Sequence, residues 1–170
     1  MRLLFALLFC LAPLAADATE EHVMLQRETV HEGDYFSTGG SITVSGVVLG
    51  NVYAFGSQIL IDGRVEGNVL ASGGIIEISG TVLGNARLAG GQIEIDGVIG
   101  KNVTIASGNL EIGPQARIGG NAFLSAGVLE FSGTIEGGAT LTASTASFWA
   151  VWAKMFEPTW EICGSALKLQ

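Results

Sequence analysis

Gln58-Ile59-Leu60-Ile61-Asp62-Gly63-Arg64-Val65-Glu66-Gly67-Asn68-Val69 is the stretch on which the fold turns. Ile59 and Ile61 stand two apart, and the apolar positions alternate with corner-type residues: Asp62-Gly63 and then Gly67-Asn68. A spacing of two is the period of a β-strand, where alternate side chains share a face. The pattern recurs on both sides. Gly50-Asn51, Gly67-Asn68, Gly84-Asn85, Lys101-Asn102, Gly120-Asn121 and Gly137-Gly138 follow one another at steps of 17, 17, 17, 19 and 17 residues. A second series, Gly46, Gly63, Gly80 and Gly97, also steps by 17 and resumes at Gly133. A fixed period of this size marks a repeat architecture.

Coils counted from Gly40, Ser57, Gly74, Gly91, Gly108 and Gly127 have five positions that are apolar throughout. The third holds Ile42, Ile59, Ile76, Ile93, Leu110 and Leu129, and the fifth holds Val44, Ile61, Ile78, Ile95, Ile112 and Phe131. The ninth runs from Val48 to Ile135, the thirteenth from Val52 to Ala139, and the fifteenth from Ala54 to Leu141. The β-branched bias suits strands. Three corners separate the apolar pairs, and their Gly and Asn residues are expected to supply left-handed backbone. The 19-residue step contains Gly113-Pro114-Gln115-Ala116, read as a two-residue corner insertion. The chain is therefore expected to be all-β: a single-stranded parallel β-helix of about six coils, with three short strands per coil and a strand spacing of ~4.8 Å. Helices are excluded, because Gly recurs every few residues and each costs about 1 kcal/mol in a helix interior.

Outside the repeat the composition changes. Arg2, the apolar run Leu3 to Leu14 and the small-residue site Ala16-Asp17-Ala18 read as an export signal over residues 1–18. The protein is accordingly expected in the periplasm, associated with the envelope, or secreted. Cys10 leaves with that signal, and Cys163 remains as a lone thiol. Residues 19–32 are polar and are expected to attach loosely, with the repeat domain spanning 33–147. Within it, Tyr35 and Ser37 take inward columns, and Ala146 and Phe148 open a further coil. Residues 148–170 form a short non-repeat C-terminal segment holding all three tryptophans. Three readings stand for it: a cap over the last coil, a docking patch, or a membrane-interface contact through residues 148–160, with Trp149, Trp152, Phe156 and Trp160 as the contacting side chains.

The 17-residue unit, with Ile59-Leu60-Ile61, Gly63, Val65 and Gly67-Asn68-Val69, resembles the repeat of the bactofilins, the polymer-forming cytoskeletal family. The likeness covers roughly residues 33–143. It implies a right-handed β-helix and end-to-end polymerisation without a nucleotide. The export signal and the aromatic tail depart from the cytosolic members, so the resemblance points to an exported member of a bacterial envelope.

The net charge is −8, and loss of Arg2 with Asp17 leaves it unchanged. An acidic chain without a basic stripe disfavours nucleic acid as a partner. One outward column holds Glu77, Glu94, Glu111 and Glu130. It is either a weak cation site or, as we prefer, a solvated stripe that discourages sheet aggregation. Asp62 and Asp96 share a corner column and read as corner residues rather than an acid–base pair. A hexapeptide-type acyltransferase needs a catalytic His, but His22 and His31 both precede the coils. Outward Thr residues are scattered, so no ice-binding array forms. No enzyme activity and no cofactor are expected. The leading expectation is a structural protein that associates with itself through its coil ends, with Phe36 and Val44 marking one end and Phe131, Leu141 and Phe148 the other. The alternative is a monomeric rod that binds cell-wall carbohydrate through Tyr53, Phe55 and Phe123, with a β-helix hydrolase or lyase behind both.

Overall fold

Alternating Ile and Val residues seek a shared buried face, and the chain provides one by winding. The structure, a computed structural model, describes residues 22–148, 161–163 and 166–169. Within them it is all-β. Each coil carries one long and one short strand. The long ones are β3 (Tyr35–Val44), β5 (Val52–Ile61), β7 (Val69–Ile78), β9 (Ala86–Ile95), β11 (Val103–Ile112), β13 (Ala122–Phe131) and β15 (Ala139–Phe148). The short ones are β2 (Val30–His31), β4 (Val47–Val48), β6 (Arg64–Val65), β8 (Thr81–Val82), β10 (Val98–Ile99), β12 (Arg117–Ile118) and β14 (Thr134–Ile135). Strand β1 (His22–Leu25) precedes them, and β16 (Glu161–Cys163) and β17 (Ala166–Leu169) follow. The long strands stack in parallel into one sheet, ordered β1-β3-β5-β7-β9-β11-β13-β15-β17-β16. The short strands stack into a second sheet, from β14 to β2. The result is a parallel β-solenoid of about seven turns.

All five inward columns form the core. Ile42, Ile59, Ile76, Ile93, Leu110 and Leu129 are buried one above another, as are Val48, Val65, Val82, Ile99 and Ile118. Like side chains in register give each layer the same shape as the next, so the interior fills without special fitting.

The expectation of three short strands per coil is corrected to one long and one short. The strand pairing continues through the third corner, as in β5, where Gly56 pairs with Gly73 and Gln58 with Ile75. Only the intervening position drops out of the ladder. Ala54 and Ile59 both point inward although they stand five apart, so the strand bends there and resets its parity.

The left-handed corners are corrected too. Gly33, at φ 86°, is the described glycine with a positive φ. The corner glycines answer to stacking instead. A Cβ on Gly63, Gly80 or Gly97 would collide with the carbonyl oxygen of Gly46, Gly63 or Gly80 respectively, one coil away.

The polar segment 19–32 does not attach loosely where it is described. β1 pairs in parallel with β3, Leu25 against Val44, and β2 pairs with β4, Val30 against Val47. Leu25 is buried in the core and Val23 packs against it. The offset is 19 residues for Leu25 to Val44 and 17 for Val30 to Val47. This coil therefore carries a two-residue insertion at the same corner as Gly113–Ala116. Both insertions close with a turn, Thr29 N–H to Gln26 O at 3.0 Å and Ala116 N–H to Gly113 O at 3.1 Å. The insertion breaks the period, and polar residues fill it, which hid the coil from a reading of columns.

Candidate functional site

A solenoid of this kind offers three places for function: its corners, its outward columns and its two ends. The Gly-Asn corner builds a ladder. Asp34 Oδ1 accepts from both the backbone N–H and the Nδ2 of Asn51, at 2.8 and 2.9 Å. Asn51, Asn68 and Asn85 repeat that double acceptance for Asn68, Asn85 and Asn102. Asn121 N–H and Gly138 N–H close the series on Asn102 and Asn121. Each carboxamide thus satisfies backbone that the corner would otherwise leave unpaired.

The Asp62 and Asp96 corner is likewise occupied by structural bonds. Arg27 Nη2 donates to Asp62 Oδ2 at 2.8 Å, reaching from the first coil past Ser45. Burial raises the Asp62 carboxyl, but the Ser45 hydroxyl and the Arg27 guanidinium outweigh it and hold the group below its ordinary value. Asp96 Oδ1 accepts from Gln115 N–H at 3.0 Å and so anchors the insertion, whose Ala116 is buried in the core. Sequence reasoning missed Arg27 because its partner lies 35 residues away and its segment was read as loose.

Glu77, Glu94, Glu111 and Glu130 lie in register on consecutive strands, with Leu60 before them and Ser147 after. Glu94 is half-buried and the other three are exposed. Among the described residues no three His, Cys, Asp or Glu side chains converge as a metal site. A shallow outer depression is lined by Ser41, Thr43, Gln58, Leu60, Ile75 and Glu77, with Glu77 its one titratable side chain. It offers no nucleophile–base pair.

The outward aromatics cluster toward the N-terminal end. Phe36, Tyr53 and Leu70 are register neighbours, and Phe36 and Tyr53 stack with centroids 4.5 Å apart at 7°. Phe55 lies two residues beyond Tyr53 and is exposed. Phe123 shares the Tyr53 column but is separated from it by Leu70, Arg87 and Thr104.

The residues expected at the ends are redistributed. Phe36 is outward and 71% exposed, on the stretch Tyr35–Gly39 of β3 that no described strand covers on its N-terminal side. Val44 is fully buried beneath Leu25, so it marks an interior layer and not an end. Phe131 is partly buried and pairs in register with Phe148 of the next coil, as that reading of Phe148 anticipated. Leu141 is buried, and β17 runs antiparallel across it, Leu141 against Leu167. The C-terminal edge is thus covered from Ala139 to Thr142 by a hairpin of β17 and β16. Trp149, Trp152, Phe156 and Trp160, and the export signal expected over residues 1–18, lie outside the described residues. Among the described residues no helix is long and apolar enough to cross a membrane. Compared with protein-family models, curated proteins and solved structures, the chain finds no match in any of the three.

Proposed function

We propose that this protein is a structural, scaffold-type element of the bacterial cell envelope, akin to an exported bactofilin, that associates with itself through the ends of its coil stack. One observation carries the reading. At the N-terminal end, β1, β2 and the Tyr35–Gly39 stretch form the outermost layer described, beside the exposed Phe36 ring. A parallel edge of this kind is a template for another chain. Another copy offers matching columns and no foreign chemistry. The signal-like residues 1–18 support export, and the bactofilin-like repeat supports polymer formation without a nucleotide. The test is sedimentation velocity with negative-stain imaging of the mature chain and of Phe36→Asp. Assemblies that Phe36→Asp dissolves, with its β-sheet signal intact, are expected. Monomers of the unaltered chain at every concentration would refute the reading.

The apolar cluster Phe36, Tyr53, Phe55 and Leu70 favours a second reading, a rod that binds cell-wall glycan. In that case Tyr53→Ala abolishes retention on peptidoglycan while leaving the sedimentation profile unchanged.

A further inference from the structure

The first coil is fastened differently from the coils within the stack. It runs through β1 and β2, from His22 to His31, and pairs on one side only, with β3 and β4. Leu25 is buried, but Met24 and Val30 are more than half exposed. Its corner insertion, from Gln26 to Thr29, is the counterpart of Gly113–Ala116, and both close with the same turn. The inner insertion is pinned: Ala116 is buried, and Gln115 N–H donates to Asp96. In the first coil an exposed Thr29 stands in the place of Ala116. The fastening there is an ion pair, from the solvent-exposed Arg27 side chain to Asp62.

Glu32-Gly33-Asp34 tethers this coil to the stack, and all three residues are exposed. Gly33 stands at φ 86°, and nothing lies within 4 Å of where its Cβ would be. Asp34 is held by Asn51, so the tether is free to swing at Glu32 and Gly33. Beneath the coil, Ile42, Val44 and Val48 are buried. The first coil of any copy fits over them, with Leu25 in register with Val44 and Arg27 against Asp62.

We infer that self-association proceeds by exchange of this coil: the β1–β2 segment of one copy swings at Gly33 and covers Ile42, Val44 and Val48 of a second copy. This rests on the self-association reading above and specifies its contact. The seat is the one each coil already occupies in its own chain, so exchange requires no new complementarity, only a tether that can reorient. Reciprocal exchange closes a pair, and exchange handed from copy to copy leaves an open chain.

The test locks the coil in its own stack. Met24 and Thr43 are register neighbours on outward positions. Met24→Cys/Thr43→Cys, in the mature chain carrying Cys163→Ser, therefore brings two thiols within disulfide reach across β1 and β3. Gln92→Cys/Asn109→Cys places the same bond between β9 and β11, inside the stack, and is the control. Each is oxidised as a dilute monomer and then concentrated. Sedimentation velocity is expected to show the oxidised first-coil lock as a monomer. Its reduced form, the oxidised control and the Cys163→Ser chain are expected as assemblies. Assemblies from the oxidised first-coil lock, or monomers from both locks alike, would overturn exchange while leaving self-association standing. Monomers of the unaltered chain at every concentration would overturn both. Single-cysteine chains supply a reading that needs no lock. Met24→Cys and Thr43→Cys chains, unfolded, mixed and refolded together, are expected to form a disulfide that joins these two positions between chains. Assemblies in which peptide mapping finds no such link would overturn exchange.

Discussion

At the scale of single residues, two small side chains set how closely the coils approach. Gly63 is required because a Cβ would strike the Gly46 carbonyl, and Asn68 is required because its carboxamide both donates and accepts along the stack. Removing the Asn68 carboxamide leaves the Asn85 backbone N–H and Nδ2 without their acceptor, and Asn51 loses one donor. Stranding a partly buried donor costs about 1–3 kcal/mol. Asn68→Ala should therefore lower the free energy of unfolding by roughly that amount in a urea titration. Asn109→Ala, on an exposed outward position, should stay within about 0.5 kcal/mol. Equal effects from the two substitutions would mean the ladder contributes nothing beyond corner geometry.

At the scale of elements, the sequence made the inward columns legible because burial repeats at one period, and every column read from Ile42 to Leu141 is the core. The insertion at Gly113–Ala116 was legible for the same reason: the columns resume after it. Three features were not. The long strands look like two short ones, because the bend at Gly56 or Gly73 resets parity without ending the ladder. The first coil was hidden by its own insertion and by polar His31 in register with the inward Val48. The hairpin follows no period, and its pairing with β15 is a long-range choice that no local pattern announces. The ends, where the candidate site lies, were thus the least legible part, since an end is where a repeat stops constraining its neighbours. The period itself makes a prediction. Deleting residues 74–90, one period of 17, joins Gly73 to Gly91 and leaves every column continuous. That chain should keep its β-sheet circular dichroism and unfold cooperatively, at a lower midpoint because one interface between repeats is lost. Deleting residues 74–89 shifts every following side chain by one and should abolish the cooperative transition. Cooperative folding of both would show that the register is not what specifies the stack.

At the scale of the whole molecule, the acidic column ties stability to solubility. Glu77, Glu94, Glu111 and Glu130 stand in register, about one strand spacing of ~4.8 Å apart. Like charges directly opposite on neighbouring strands are destabilising. The same charges oppose side-by-side contact between the broad flank of the long-strand sheet and another copy, a contact that would compete with the association proposed through the ends. Replacing all four by Gln changes the net charge from −8 to −8 + 4 = −4. The variant should melt a few degrees higher at low ionic strength. At about 1 M salt, where the screening length falls to roughly 3 Å, the difference should close, because screening relieves the native column while leaving the variant unchanged. Its light scattering should also rise with concentration at salt levels where the native chain stays clear. Thermal midpoints that differ equally at low and high salt would mean the glutamates act through packing or propensity. Equal scattering would mean that lateral contact is prevented by something other than their charge.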